Sequence, residues 1–238
     1  MKGNIMRITV YHLTSSIFIT SIKERGLIST DIRQKLPQLC YAMNDIIKVL
    51  EQKHRDFGYD WGEPAGFHDN CQRMADRDYK NCSGMDFEYG NVYVTPSKTR
   101  ISIYNNYEFG SELITYFYRL YRCLFWKFND KSKEDFDAKY PELVSIIRIK
   151  DKKNLILMSQ VDTEDLLTDT GNQLDEGEMD LIQFMVEKYD GDVQRSYRMK
   201  RTLYPGELEV MTIENKNFLA FGKLSEYIIP DNWNQVVL

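Results

Sequence analysis

The sequence predicts an α+β domain, and three observations predict it. Short runs rich in β-branched residues sit at both ends of the chain. Stripes of apolar residues at helical spacing fill the middle. No internal repeat, low-complexity tract or long linker separates them, so the 238 residues read as a single domain with a core of ordinary size.

Taken in order, MRITVY (Met6 to Tyr11) alternates and reads as a strand. Ser15 or Ser16 is placed to cap a helix through Arg25, and Gly26 supplies a left-handed stop. Leu36, Leu39, Cys40, Met43, Ile46, Ile47 and Leu50 mark an amphipathic helix. The glycine-rich FGYDWGEPAGFHDN after it reads as a loop. GNVYVTPS predicts a second strand ended by Pro96, then a short helix over Lys98 to Asn105 and a turn at Gly110. A long helix starts at Ser111 on the stripe Leu113, Phe117, Leu120, Tyr121, Leu124 and Phe128. SIIRI and NLILM read as strands around the charged turn KDKKN. Glu176 to Tyr189 is helical with Ile182, Met185 and Val186 inward. RSYRMKR, ELEVMTI, FLAFGK and EYII return the chain to strand, and the terminal strands are expected to meet in the middle of the sheets.

Bulk composition narrows the function. Apolar residues make up 42% and charged residues 28%, the balance of a soluble protein. A net charge of −5 tilts against broad non-specific nucleic-acid binding, which needs cations to neutralise phosphates. No run reaches the roughly 18 apolar residues of a membrane span, and nothing resembles a signal peptide. The four cysteines lack CxxC spacing, as reduced cytoplasmic thiols would.

Three segments carry the chemistry: YHLT early, VYVT with a later tyrosine at Tyr104, and SEYII near the end. One histidine, two rings and a carboxylate suit a nucleotide with a flat cationic leaving group. Aromatic faces attract such a ring by about 1–2 kcal/mol when desolvated. A carboxylate beside a ribose stabilises the oxocarbenium-like cation formed as a glycosidic bond breaks.

These segments resemble the motifs of the ADP-ribosyltransferases of the diphtheria-toxin and poly(ADP-ribose) polymerase type. YHLTSSIFITSIKERGL is similar to the family's first strand and helix, and NVYVTPSKTRISIY keeps its eleven-residue step from a strand tyrosine, Tyr93, to a helix tyrosine, Tyr104. SEYIIPDNWNQ resembles its third motif, a glutamate opening a strand. The resemblance implies a split β-sheet core with helical insertions at about 31–88 and 111–144 and NAD as co-substrate. It implies that His12 and Thr14 bind the dinucleotide, that the backbone at Leu13 grips the nicotinamide amide, and that Tyr93 and Tyr104 sandwich the ring. Glu226 would stabilise the sugar cation. Leu13 stands where the family often has glycine, so a side chain must find room there. Leu224, two before Glu226, replaces the acid or amide of the arginine-modifying branch and points away from arginine as acceptor.

The implied activity is mono-ADP-ribosyl transfer to a macromolecule, protein or nucleic acid, in a bacterial or phage toxin, effector or defence protein. An antitoxin or immunity protein would be a further partner in that setting, and no membrane is expected. NAD glycohydrolysis and a catalytically inactive binding module of the same fold are the alternatives. Glu209, with Glu207 two residues earlier on one strand face, is the second choice for the acid. His54, His68, Cys71 and Cys82 could bind zinc, but HDNC spacing leaves Cys82 without a paired ligand, so no metal is expected. Phe57, Tyr59, Trp61 and Phe67 would form a lid over a ligand, a partner contact or a packed loop.

Overall fold

The computed structural model describes residues 5–76, 90–103, 109–187, 195–214 and 217–226. In chain order the elements are β1 (Arg7–Ser15), α1 (Ile19–Arg25), α2 (Ile32–Lys35), α3 (Leu39–Lys53), α4 (Phe67–Ala75), β2 (Tyr93–Val94), α5 (Lys98–Ile103), α6 (Glu112–Arg122), α7 (Lys133–Lys139), α8 (Pro141–Ile147), β3 (Asn154–Asp162), β4 (Leu166–Thr168), α9 (Glu176–Glu187), β5 (Tyr197–Met199), β6 (Glu209–Glu214) and β7 (Asn217–Lys223). The architecture is α+β with two antiparallel sheets.

The chain divides into two compact units. The first takes Met1–Thr30, Gly90–Gly110 and Lys150–Leu238 and contains both sheets; the second takes Asp31–Tyr89 and Ser111–Ile149 and is helical.

In the sheet unit, one sheet runs β1-β3-β6-β7 and the other β2-β5-β4. β3 sits inside the first sheet because LIL is a continuous apolar run, suited to a strand buried on both faces. Ile8, Val10, Leu155, Leu157 and Val210 line one face, all buried. On the other, Ile156 and Met211 pack with Ile101 of α5, flanked by Tyr11, Leu13 and Met158. The two sheets touch where Tyr11 and Thr95 exchange backbone hydrogen bonds of 2.8 and 3.0 Å. Gly26 ends α1 at φ 84°, where a side chain would meet the Leu203 carbonyl at 2.4 Å.

In the helical unit, Leu39, Cys40, Met43, Ile46, Ile47 and Leu50 form the buried stripe of α3. It packs against α4 and α6, whose inward residues include Phe67, Cys71 and Met74, and Leu113, Phe117 and Leu120. Rings of Phe117, Tyr121, Phe125, Phe136 and Tyr140 continue the core. The buried phenols close their own hydrogen bonds: Tyr121 donates to Asp137 and Tyr140 to Asp45, both at 2.7 Å.

Several expectations are corrected. SIIRI is not a strand: its first three residues are the end of α8, which is begun by Pro141 and Glu142 in its first turn, and Arg148 and Ile149 follow the helix. It buries Leu143, Val144, Ile146 and Ile147 at helical spacing, so packing overrides β-branched propensity. Strand β1 continues through Ser15, so neither Ser15 nor Ser16 caps α1; the Ser16 hydroxyl instead accepts the Lys153 amide at 2.8 Å. The loop after α3 ends early, because Gly66 at φ 81° starts α4 and Phe67, Cys71, Met74 and Ala75 form its buried face. The GNVYVTPS and RSYRMKR strands shrink to Tyr93–Val94 and Tyr197–Met199, the lengths over which they pair. Val186 is 50% exposed, since Ile182 and Met185 already fill the contact of α9. Among the described strands, β1 and β7 stand at opposite ends of the first sheet with β3 and β6 between them, and most of the last expected strand, EYII, lies outside the described residues. The ends of the helices expected to reach Asn105 and Tyr189 lie outside the described residues, as does the strand expected over 226–229 except for Glu226, which stands in a 3-10 turn.

Candidate functional site

The site begins where the sheets touch. β1 is anchored through Ile8 and Val10, which leaves His12, on the same face, half-buried near the strand's end. Its Nδ1 lies 2.8 Å from the Tyr93 carbonyl on β2. A carbonyl can only accept, so Nδ1 carries the proton and donates. Burial pushes the imidazole below its ordinary pKa, against the opposing pull of that carbonyl. The ring is therefore neutral at pH 7, with the Nε2 lone pair left as an acceptor for a hydroxyl donor.

Neighbouring elements build the walls. Tyr93 pairs with Arg198 in the second sheet, and the Arg198 guanidinium lies 5.6 Å from the Tyr93 ring centroid. Arg198 is only 8% exposed, an unusual place for a cation. Gly171, at φ 88°, passes close to it; a β-carbon there would come within 3.2 Å of its Nη1. Thr14 is 3% exposed. Gly110, at φ 61°, lies so tightly against the end of β1 that a side chain would meet the Ser15 amide at 2.3 Å. Leu13 points to the opposite face of β1 from His12 and packs into the Ile101–Ile156–Met211 cluster, so its side chain does not crowd the histidine.

The remaining expected residues stand elsewhere. Tyr104 lies outside the described residues. Glu226 closes a single 3-10 turn, Leu224–Glu226, where the Leu224 amide donates to the Leu208 carbonyl at 2.7 Å, and it is exposed. Glu209 opens β6 in register with Met158 and Lys223 and is also exposed. Neither acid contacts His12 or Tyr93 among the described residues. β1 and β7 lie three strand spacings apart, about 14 Å. The acid pair on one strand face is not formed: Glu207 sits in a turn before β6 and pairs with Arg201 at 3.0 Å, which holds its carboxyl below the usual range.

Sequence reading missed Arg198. Its signal was a basic residue between Tyr197 and Met199 inside a strand run, which reads as a solvated edge until pairing places β5 mid-sheet.

The aromatic loop belongs to the helical unit. Phe57 and Phe67 are core residues, while Tyr59 is 69% and Trp61 41% exposed. Glu63 is held by Arg119 and Lys127, and the Lys127 ammonium also reaches the Trp61 carbonyl, so the segment is a pinned loop rather than a free lid. A cleft of about 530 Å³ beside it is lined by Arg55, Asp56, Tyr59, Gly66, Phe67, His68 and Asp69. His54 stacks on Phe128 and His68 bonds Glu51 at 3.0 Å. No cluster of three or more His, Cys, Asp or Glu is placed to hold a metal among the described residues, and Cys82 falls outside them. No described helix is long and apolar enough to cross a membrane.

The chain matches no protein family, no curated protein and no solved structure. What it does is therefore argued from the site: a neutral histidine acceptor, an aromatic ring and a buried cation meet where two sheets join.

Proposed function

We propose that this chain binds NAD at the junction of β1 and β2 and is a mono-ADP-ribosyltransferase on an ADP-ribosyltransferase-like split sheet. The observation that carries the reading is the His12–Tyr93 contact. It puts the first two motifs of the resemblance side by side, though 81 residues separate them, and Nε2, which meets no hydrogen-bond partner among the described residues, can accept a ribose hydroxyl. The Tyr93 ring is the aromatic group this reading assigns to nicotinamide. The Arg198 charge lies within the same wall, where a dinucleotide's phosphates would benefit from it. The buried thiols Cys40, Cys71 and Cys123 are unbridged, which suits action in the cytoplasm.

In the reaction, the bond from ribose C1′ to the nicotinamide nitrogen breaks and its electron pair leaves with nicotinamide. The cation at C1′ is steadied by a carboxylate, and an acceptor nucleophile attacks from the opposite face and gives up its proton. We assign the carboxylate to Glu226. Because β3 and β6 stand between β1 and β7, the strand before Glu226, this assignment has the dinucleotide extended across the sheet from His12 towards β7. A second reading, NAD glycohydrolysis, is favoured by the solvent exposure of Glu226, which leaves water free to compete as acceptor.

The test is incubation with NAD labelled in the adenylate, in cell lysate, followed by separate protease and nuclease digestion. Label on a macromolecule that one digestion releases is the expected result. Free ADP-ribose alone would assign the hydrolase, and intact NAD would overturn both readings.

A further inference from the structure

On the helical unit, Tyr118, Arg122 and Trp126 follow one another at steps of four residues along α6 and its continuation. The Arg122 guanidinium lies 5.5 Å from the Tyr118 ring centroid and 5.6 Å from that of Trp126. The two rings meet edge to face at 6.1 Å and 90°. Arg122 is exposed and Trp126 is 56% exposed, so the row faces outward and is not core. Trp126 stands in a π turn, Cys123–Lys127, where the Phe128 amide reaches the Cys123 carbonyl at 3.1 Å. Such widened turns cost stability and concentrate at functional positions.

Charge separates Arg122 from its neighbours. Arg119 and Lys127 pair with Glu63, and Lys133 and Arg148 pair with Asp137. Arg122 makes no ion pair with a described carboxylate, and the rings of Tyr118 and Trp126 flank it. A guanidinium kept in place by rings has already lost much of its rotamer freedom and presents a planar fork that fits a carboxylate by two hydrogen bonds. Tryptophan, tyrosine and arginine are also the residue types that dominate binding energy at protein interfaces.

We propose that Tyr118, Arg122 and Trp126 form a docking anchor for a protein partner presenting a carboxylate beside an apolar side chain. The carboxylate takes the Arg122 fork, and the apolar side chain covers the exposed face of Trp126. A net charge of −5 tilts against nucleic acid, which would need several cations around the rings, whereas one carboxylate needs only the Arg122 fork. The inference does not depend on NAD binding, since every residue it uses lies in the helical unit.

The experiment selects random short peptides displayed on phage against the full chain, then measures synthetic versions of the winners. Selected peptides should share an acidic residue or free C-terminus next to an aromatic or aliphatic one. Arg122→Ala and Trp126→Ala should each weaken them about thirtyfold. Arg122→Glu should abolish binding and restore it to a peptide whose acid is replaced by lysine. Thermal melts check that the variants fold; Arg122→Lys, which keeps charge and loses the fork, should bind between wild type and Arg122→Ala. Winners without an acid, unchanged affinity in Arg122→Ala, no enrichment, or capture of single-stranded oligothymidine through these residues would each overturn the proposal.

Discussion

The two units treat buried polar groups differently. In the helical unit, the buried phenols of Tyr121 and Tyr140 each reach a carboxylate, and most described cations near them are paired. In the sheet unit, the hydroxyls of Ser15, Thr20, Ser159 and Thr212 are buried with no partner among the described residues. Such groups cost about 1–3 kcal/mol each. The same unit holds the half-buried neutral His12 and the buried Arg198. The difference teaches where to look for chemistry: among the described residues, buried hydroxyls without a partner occur in the sheet unit, which also holds His12, and unpaired buried polar groups of this kind ask for an explanation besides stability.

The largest expected effect lies in the sheet unit. Glu226→Gln should lower NAD turnover by about 10²–10³ in steady-state assays with NAD affinity nearly unchanged. Glu209→Gln should leave turnover close to wild type; the reverse pattern would move the acid to β6.

Acid should also divide the units. The folded-state pKa of His12 is depressed, so its contribution is fully present above the ordinary histidine value, about 6.5, and is lost as pH falls through the lower folded value. Asp130, lowered to about 2 first by its bond from Lys53 and then by Ser132, contributes fully above the ordinary carboxylate range, near 3.8, and loses that only towards pH 2. Asp45 and Asp137 are lowered as well, their ammonium and phenol partners outweighing burial. Hydrogen exchange should show protection in β1 falling below pH 6.5 while α3 and α7 hold to about pH 4. Loss in the helices first would contradict the contrast.

Smaller effects test the polar groups one at a time. Tyr121→Phe should cost about 1 kcal/mol in denaturant unfolding, because it removes a satisfied hydrogen bond. Ser159→Ala should be neutral or stabilise by up to about 1 kcal/mol, because the hydroxyl it deletes has no partner among the described residues. Equal losses in both would erase the difference between the units.

Much of this was legible where one period dominates. The α3 and α6 stripes read directly from Leu39 to Leu50 and from Leu113 to Leu120, since a helix shows its buried face within its own sequence. His12 stood out as a polar residue late in an apolar strand. What stayed hidden depends on partners distant in the chain. β1 runs on through the polar HLTS because β3 pairs with all of it, and α8 absorbs β-branched residues because its buried face demands them. The π turn and the burial of Arg198 have no compositional signature; only pairing and packing reveal them. The strand order was equally unreadable: β3 and β6 stand between β1 and β7, the strand that precedes the turn holding Glu226.

Calorimetric titration of NAD into the wild-type protein and into His12→Ala at pH 7.5 tests the account most directly. Saturable one-site binding that His12→Ala weakens at least about tenfold, with an unchanged melting curve, is the predicted result. No heat of binding to the wild type, or equal affinity in the two proteins, would contradict it.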